Sequence, residues 1–480
     1  MYFLYVFLLA TGGPASAQTD VPAKPGLAKR LNFQGSVRTR VEAWDWFDNG
    51  SSEPYGYLGA LARFSISQRY ESFDWQVEVA LPVLLNLPQR AVSPAPQGAL
   101  GLGANYFTAN DNSRNAAMLF PKQAFVRWHL PGQQSLRVGR FEFLDGSELT
   151  PKNATLAALK TTRVNQRLLG NFGWAHVQRA FDGFHYTLAK PGGTVTLIGA
   201  VPTRGVFQTD GWGWNKAAFS YASYAKATGK DANAGELRLF GLYYHDWRHV
   251  LKVDNRPLPA RQADMNNIGV FTWGGHYLHT CETGAGTVDV MLWGALQNGR
   301  WGRLDHRGYA GDFEVGYQPK GLAWKPWLRG GYYRGSGDGN AADNKHGAFF
   351  QVLPTPRPFA RFPFFNMMNN QDVFGMVTLR PNKAVSLTSE VHSLRLSASQ
   401  DLWYQGGGVF QPWTFGYVGR PANGRGGLAT LWDASLDWKV NANNTLSLYF
   451  GNAWGQGVVS AIYAKRDTAR MGYVEWTVRF

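Results

Sequence analysis

The sequence holds one cysteine, Cys281, in 480 residues. No disulfide within the chain is therefore available to staple it. Beside Thr280 in a strand-like segment, Cys281 reads as inert packing rather than as a catalytic thiol. Acid is scarce as well: 33 Asp and Glu stand against 48 Lys and Arg, a formal charge of +15. Nucleic acid is the usual partner of such an excess, but the N-terminus carries an export pattern that argues against it. After that N-terminus, no apolar run approaches the roughly 20 residues that a membrane helix needs. Strands remain open as membrane spans. A barrel strand puts only alternate residues in lipid, so its average hydropathy looks soluble.

Tyr2 to Ala10 form an apolar run, and Ala15-Ser16-Ala17 is a small-x-small cleavage pattern. Together they predict a secretory signal peptide over residues 1–17, although no Lys or Arg precedes the run. Residues 18–31 follow as a short polar leader, and 32–480 as one domain without repeats or linkers. Aromatics are abundant, with 19 Trp, 21 Tyr and 30 Phe, and so is Gly at 56. Aromatic girdles and tight turns call for that mixture.

The chain breaks into many segments of roughly ten residues with period two. Val37, Val41 and Ala43 share one parity while Arg38, Arg40 and Glu42 share the other. Phe64 and Ile66 oppose Arg63 and Arg69, and Trp75, Val77 and Val79 oppose Asp74 and Glu78. The last segment places Val474, Trp476, Val478 and Phe480 on one face and Glu475 and Arg479 on the other. Pro131-Gly132, Pro191-Gly192-Gly193 and Asn441 to Asn444 supply short turns. Long loops are expected near 82–121, 203–234 and 335–370. Residues 152–169 break the rhythm and look helical, with Lys160, Arg163 and Arg167 between Leu156, Leu159, Val164 and Leu168. The strands number about 17, or 18 if part of 152–171 is extended. Even counts prevail in bacterial barrels, so the expectation is 18, with 16 as the alternative. The predicted fold is an all-β transmembrane antiparallel barrel with short periplasmic turns and long extracellular loops.

Parity sends Arg38, Arg40, Arg63, Arg69, Arg127, Arg137, Arg238 and Arg329 to the lumen, together with Glu42, Asp74, Glu78 and Glu390, because charges facing lipid are costly. Each Arg can simply pair with a neighbouring carboxylate. Collectively, a cationic excess in a narrow pore selects anions. The six Phe residues of 349–365 are too many for a solvated loop, so 335–370 is expected to fold into or across the barrel mouth and narrow it, with an exposed loop resting on the membrane as the alternative.

The terminal strand closing on Phe480 resembles the signal by which outer-membrane barrels are recognised for assembly. Three further stretches carry a resemblance to the alginate-export family of outer-membrane porins. The first is Leu136-Arg137-Val138-Gly139-Arg140-Phe141 with Asp145-Gly146. The second is Arg179-Ala180-Phe181-Asp182-Gly183. The third runs from Phe349 to Pro356 and continues through Asp372, Glu390-Val391-His392 and Asp401 to Tyr404. The resemblance implies an 18-stranded barrel with an arginine-lined constriction that conducts an acidic polysaccharide outward. It makes Arg140 and Arg179 constriction candidates, with Asp182 as a partner. Arg140 shares the parity of outward Leu136 and Val138, so lumen placement requires a bulge or strand end near Gly139.

The expected partners are outer-membrane lipid and lipopolysaccharide, the barrel-assembly machinery, and an acidic polysaccharide or other anionic solute. No nucleic acid, cofactor or metal is expected, and the channel is read as monomeric. His276 and His279 have opposite parity, and His245 and His249 lie near a strand end, so neither pair makes a convincing zinc site. No nucleophile has a convincing base, so catalysis is not expected. A general or sugar-uptake porin is the alternative function.

Overall fold

The computed structural model describes residues 31–480 apart from Asn49, Ser51, Ser52, Asp231 and Pro358. The predicted signal peptide, and the leader up to residue 30, lie outside the described residues. The chain forms a closed 18-strand antiparallel barrel. Its strands are β1 (Asn32–Asp45), β2 (Tyr55–Arg69), β3 (Phe73–Leu85), β4 (Phe120–Leu130), β5 (Gln134–Phe141) and β6 (Phe181–Lys190). Next come β7 (Gly193–Pro202), β8 (Ala217–Lys230), β9 (Asn233–Asp246), β10 (Ile268–Thr283), β11 (Gly286–Trp301) and β12 (Leu304–Pro319). The last are β13 (Trp327–Gly335), β14 (Gln371–Leu379), β15 (Val385–Arg395), β16 (Gly427–Lys439), β17 (Asn444–Gly455) and β18 (Thr468–Arg479). Val37 pairs with Val478 and Val41 with Val474, so β1 and β18 close the wall.

Apart from the two-residue turn 302–303 at the long-loop end, connections alternate in length. Short ones at 70–72, 131–133, 191–192 and 284–285 share the end that carries Asn32 and Phe480. The opposite end carries the long loops 86–119, 142–180, 336–370 and 396–426. By that asymmetry the short-turn end is periplasmic. Among the described residues no helix is long and apolar enough to cross a membrane. The strands cross instead.

Two expectations about elements need correction. The stretch 203–234 is not one loop, because it contains β8. Residues 152–171 contribute no strand: Ala154–Leu159 is an α-helix that continues as a π-helical turn over Lys160–Val164. The count of 18 therefore holds with a different member.

The predicted outward parity faces lipid. Phe64, Val77, Val474 and Trp476 are exposed on the outer wall, while Arg40, Glu42 and Glu78 are buried within. The largest apolar cluster lies inside the barrel, where the extracellular loops pack on inward aromatics. Phe480 lies on the outer wall, its backbone bonded to Gly35 at 2.7 and 3.0 Å. Its ring is 5.7 Å from that of Phe64. A Cβ on Gly35 would stand 2.3 Å from the Phe480 ring, so the glycine makes the space that the aromatic covers. Phe480→Asp is expected to lower the heat-modifiable folded fraction severalfold on semi-denaturing gels. It removes this ring contact and sets a charge against lipid. A variant that folds in full yield would show that Phe480 has no such role.

Candidate functional site

The inward carboxylates of one wall hold a segment of loop 142–180. Asn153 caps the lumen helix by accepting the Leu156 N–H at 3.1 Å. Leu156, Leu159 and Val164 then bury against Leu278, Met291 and Trp327. Their polar neighbours meet the wall. Lys160 lies 2.7 Å from Glu236 on β9, Arg163 lies 2.8 Å from Glu314 and Arg167 lies 2.6 Å from Asp312, both on β12. Arg329 joins Asp289 and Glu314 behind them. Arg238 reaches Glu148 at 3.1 Å, so the start of the same loop is tied to β9. Arg238 and Arg329, predicted as pore-lining, are thus buried and paired beneath the loop.

The loop next crosses to β1 and β2. Arg38 donates to the carbonyl oxygens of Gly173 at 2.8 Å and Ala175 at 2.5 Å. Arg40 donates to the Trp174 carbonyl at 3.1 Å and lies over the Trp174 ring at 4.5 Å. Arg40 also pairs with Glu42 and Glu475. His176 Nε2 approaches the Glu42 carboxylate at 3.4 Å. A Cβ at Gly59 would collide with that imidazole at 2.3 Å, so β2 is bare where the loop presses on it. Burial lowers the His176 imidazole to about 4 despite the neighbouring carboxylate, leaving it neutral at pH 7.

Below this crossing, toward the periplasm, lies a cavity of about 780 Å³. Arg38, Arg63, Arg127, Arg137, Lys160 and Arg479 line it, against Glu78, Glu142, Glu148 and Glu475. Arg63 is shared between Glu78 at 2.5 Å and Glu142 at 2.9 Å. Burial pushes the Glu142 carboxyl up, but Arg63 and Lys122 outweigh it and hold the group at about 2. Arg127 pairs with Asp74 at 2.9 Å, and Arg137 lies 4.6 Å from the Phe141 ring and 2.7 Å from His185. Arg69 is exposed at the periplasmic end of β2, away from this lining.

Segment 336–370 folds into the barrel, as its aromatics predict. Phe349, Phe350, Phe359, Phe362 and Phe364 are all buried. Phe349 meets Trp293 and Phe350 meets Trp301 on β11, whereas Phe362 stacks on Trp46 beyond β1. Leu353 and Thr355 bond through their backbone N–H groups to Leu168 and Gln166, joining the two inward loops.

Two candidates taken from the family resemblance lie elsewhere. Arg140 and Asp182 form a bidentate pair at 2.7 Å on the outer wall. Gly139 has a positive φ, but pairing continues unshifted through Val126↔Val138 and Ala124↔Arg140, so no bulge turns Arg140 inward. Asp182 also accepts the Trp214 indole N–H at 2.5 Å. Arg179 lies inside but precedes its strand. It donates to the carbonyls of Val409 and Pro354, each at 3.2 Å, and to Gly407. It fastens three loops together and lines no open path. Burial lowers its guanidinium to about 10. Glu390 is buried beside His392 at 3.2 Å.

Arg357 was invisible to parity because it stands between two prolines in an irregular segment. Its guanidinium lies 4.2 Å from the Trp174 ring and 4.7 Å from Tyr449. It is 8% exposed, and neither Nη has a hydrogen-bond partner among the described residues. Arg40 lies over the same Trp174 ring, so Arg38, Arg40, Trp174 and Arg357 form one contiguous, largely buried group of cations and rings inward of the cavity. Among the described residues no three His, Cys, Asp or Glu side chains gather as a metal site.

Solved outer-membrane structures share the fold at low identity. OccK9 (OpdG) of Pseudomonas aeruginosa aligns with a TM-score of 0.56 and 10% identity over 95% of this chain and 99% of that one. OccAB4 of Acinetobacter baumannii aligns with 0.55 and 9%, over 95% and 100%. OpdK of Pseudomonas aeruginosa, solved with vanillate, aligns with 0.55 and 9%, over 94% and 98%. A search of curated proteins found no match. The family model described as alginate export matches residues 29–454, nearly the whole chain. This outer-membrane channel therefore belongs to the alginate export family.

Proposed function

We propose that the channel is anion-selective and passes an acidic, alginate-like polysaccharide outward. Arg357 carries this reading. A buried guanidinium framed by Trp174 and Tyr449, with both Nη groups unengaged by the described residues, matches the bidentate geometry of a carboxylate. The aromatic faces beside it suit the apolar faces of sugar rings. Below it, six cations and four carboxylates line the periplasmic cavity, with Arg127 and Lys160 already paired to Asp74 and Glu236 behind the lining. The attraction on an entering anion therefore comes from the remaining guanidinium groups. Transport follows the solute gradient. The proposal includes export by a signal peptide over residues 1–17, assembly by the barrel-assembly machinery and action as a monomer. The strand ending in Phe480 supports the assembly step.

Reversal potentials across a KCl gradient are expected to report chloride permeating faster than potassium. That preference weakens at high salt as screening shortens the reach of fixed charge. A uronate oligomer is expected to block current more than a neutral oligosaccharide of equal length, and Arg357→Gln to weaken that block by roughly tenfold, as for loss of a charge-assisted bidentate contact. Cation preference would overturn the proposal. Chloride passage without uronate block would favour the general or sugar-uptake porin instead.

A further inference from the structure

The outer wall carries a charge pattern at its extracellular end that the lumen does not use. Pairing across β9–β12 sets outward side chains in rows. One row is Gly241, Trp273, Leu296 and Tyr309; the next is Tyr243, Phe271, Asn298 and Arg307; the next is His245, Gly269, Arg300 and Asp305. Successive rows lie about 7 Å apart along the strands. The wall thus changes from apolar to basic within two rows. Trp273, Leu296 and Tyr309 are exposed, as lipid-facing residues are in a bare barrel. Arg303 stands in the turn 302–303 directly above, and Arg334 flanks the patch on β13 beside Gly311.

Gly269 leaves a gap between His245 and Arg300, and the gap opens into a groove of about 720 Å³. Arg300, Arg303, His245, Asn266 and Asn267 line it, with Tyr243 at its lower edge. Arg303 and Arg307 are exposed and make no ion pair among the described residues. Nearby acid is limited. Asp305 pairs with Arg300 at 2.7 Å, both side chains mostly exposed. Asp264 is buried and occupied by Arg256 at 2.9 Å and by the Arg303 backbone N–H at 3.0 Å.

We propose that this groove binds the phosphate groups of lipopolysaccharide in the outer leaflet. The occupant follows from position and charge together. Acyl chains would lie on Trp273, Leu296 and Tyr309, and the phosphorylated head would then stand at the level of Arg300, Arg303 and Arg307. Guanidinium forks match phosphate oxygens in pairs, and the asparagines supply neutral donors for the sugar. A solute passing through the lumen would not reach these side chains.

Native mass spectrometry of the purified protein in detergent tests the proposal with three probes: lipid A bearing its phosphates, chemically dephosphorylated lipid A, and inorganic phosphate. Phosphorylated lipid A is expected to stay bound where both other probes are lost. Arg300→Gln/Arg303→Gln/Arg307→Gln is expected to weaken that binding by about tenfold or more, a loss of charge-assisted contacts. Channel conductance should not change, which keeps this result separate from the selectivity of the pore. Equal retention of the dephosphorylated lipid overturns the proposal without any variant. Equal binding by the triple variant also overturns it. Inorganic phosphate held as tightly as lipid A would show a free-anion site and overturn the lipid assignment.

Discussion

Deletion of residues 340–368 is expected to raise single-channel conductance by roughly threefold or more, because an 18-strand wall encloses an aqueous lumen once nothing fills it. The segment enters the barrel with Phe349 and Phe350 against Trp293 and Trp301, and reaches Trp46 through Phe362. It therefore spans the lumen between distant parts of the wall. The wall itself is prepared for its loss. Arg334 pairs with Gln371, so the strand ends that the deletion leaves behind are already adjacent. A short connection made of the remaining residues closes β13 onto β14 as a hairpin. Planar-bilayer recording of a heat-modifiable variant measures the effect. Unchanged conductance in a folded barrel would place the bottleneck in loop 142–180, where Arg38 and Arg40 hold the Trp174 crossing.

Period two told the sequence's faces apart but not their depth. Arg38, Arg63, Arg127 and Arg137, which share the inward parity, line the periplasmic cavity. Arg238 and Arg329 share that parity and lie buried under a loop, since a strand pattern says nothing about what folds onto it. β8 was missed because Ala218, Ser220 and Ala222 form much of its lipid face, and so small a face gives weak alternation. The helix at 152–169 was legible from its Leu spacing. Its Lys160, Arg163 and Arg167 were visible as charges, but not as partners for Glu236, Glu314 and Asp312 on strands far along the chain. Arg140 shows the opposite case. Its own parity pointed outward correctly, and the family resemblance suggested a lumen role that the unshifted register rules out. Arg357 carries no periodic signal at all, being held by tertiary packing on Trp174 and Tyr449.

Glu236→Gln is expected to detach the lumen helix from its wall in a pH-dependent way. Lys160 places its ammonium 2.7 Å from both oxygens of Glu236, and its other hydrogen-bond partner among the described residues is the Leu149 carbonyl. Breaking a buried pair by neutralising one member costs about 3–5 kcal/mol, because the other charge stays in the interior. Burial already lowers the Lys160 amine below its ordinary range, with Glu236 opposing that shift. Removing the carboxylate lowers it further. The docked state then favours neutral Lys160, while the opened state keeps an ordinary, protonated amine. Between those two pKa values the opened state binds more protons, so docking strengthens as pH rises and is weakest below the docked value. Limited trypsin cleavage at Arg163 reads this local opening. The single variant should be cut far faster than the parent at neutral pH and approach it toward pH 10, roughly the pKa of a free lysine. Glu236→Gln/Lys160→Met should recover much of the protection and lose the pH dependence, since the unpaired amine that titrates is gone. A single variant cut at the parental rate across that range would show that the leucine face alone docks the helix.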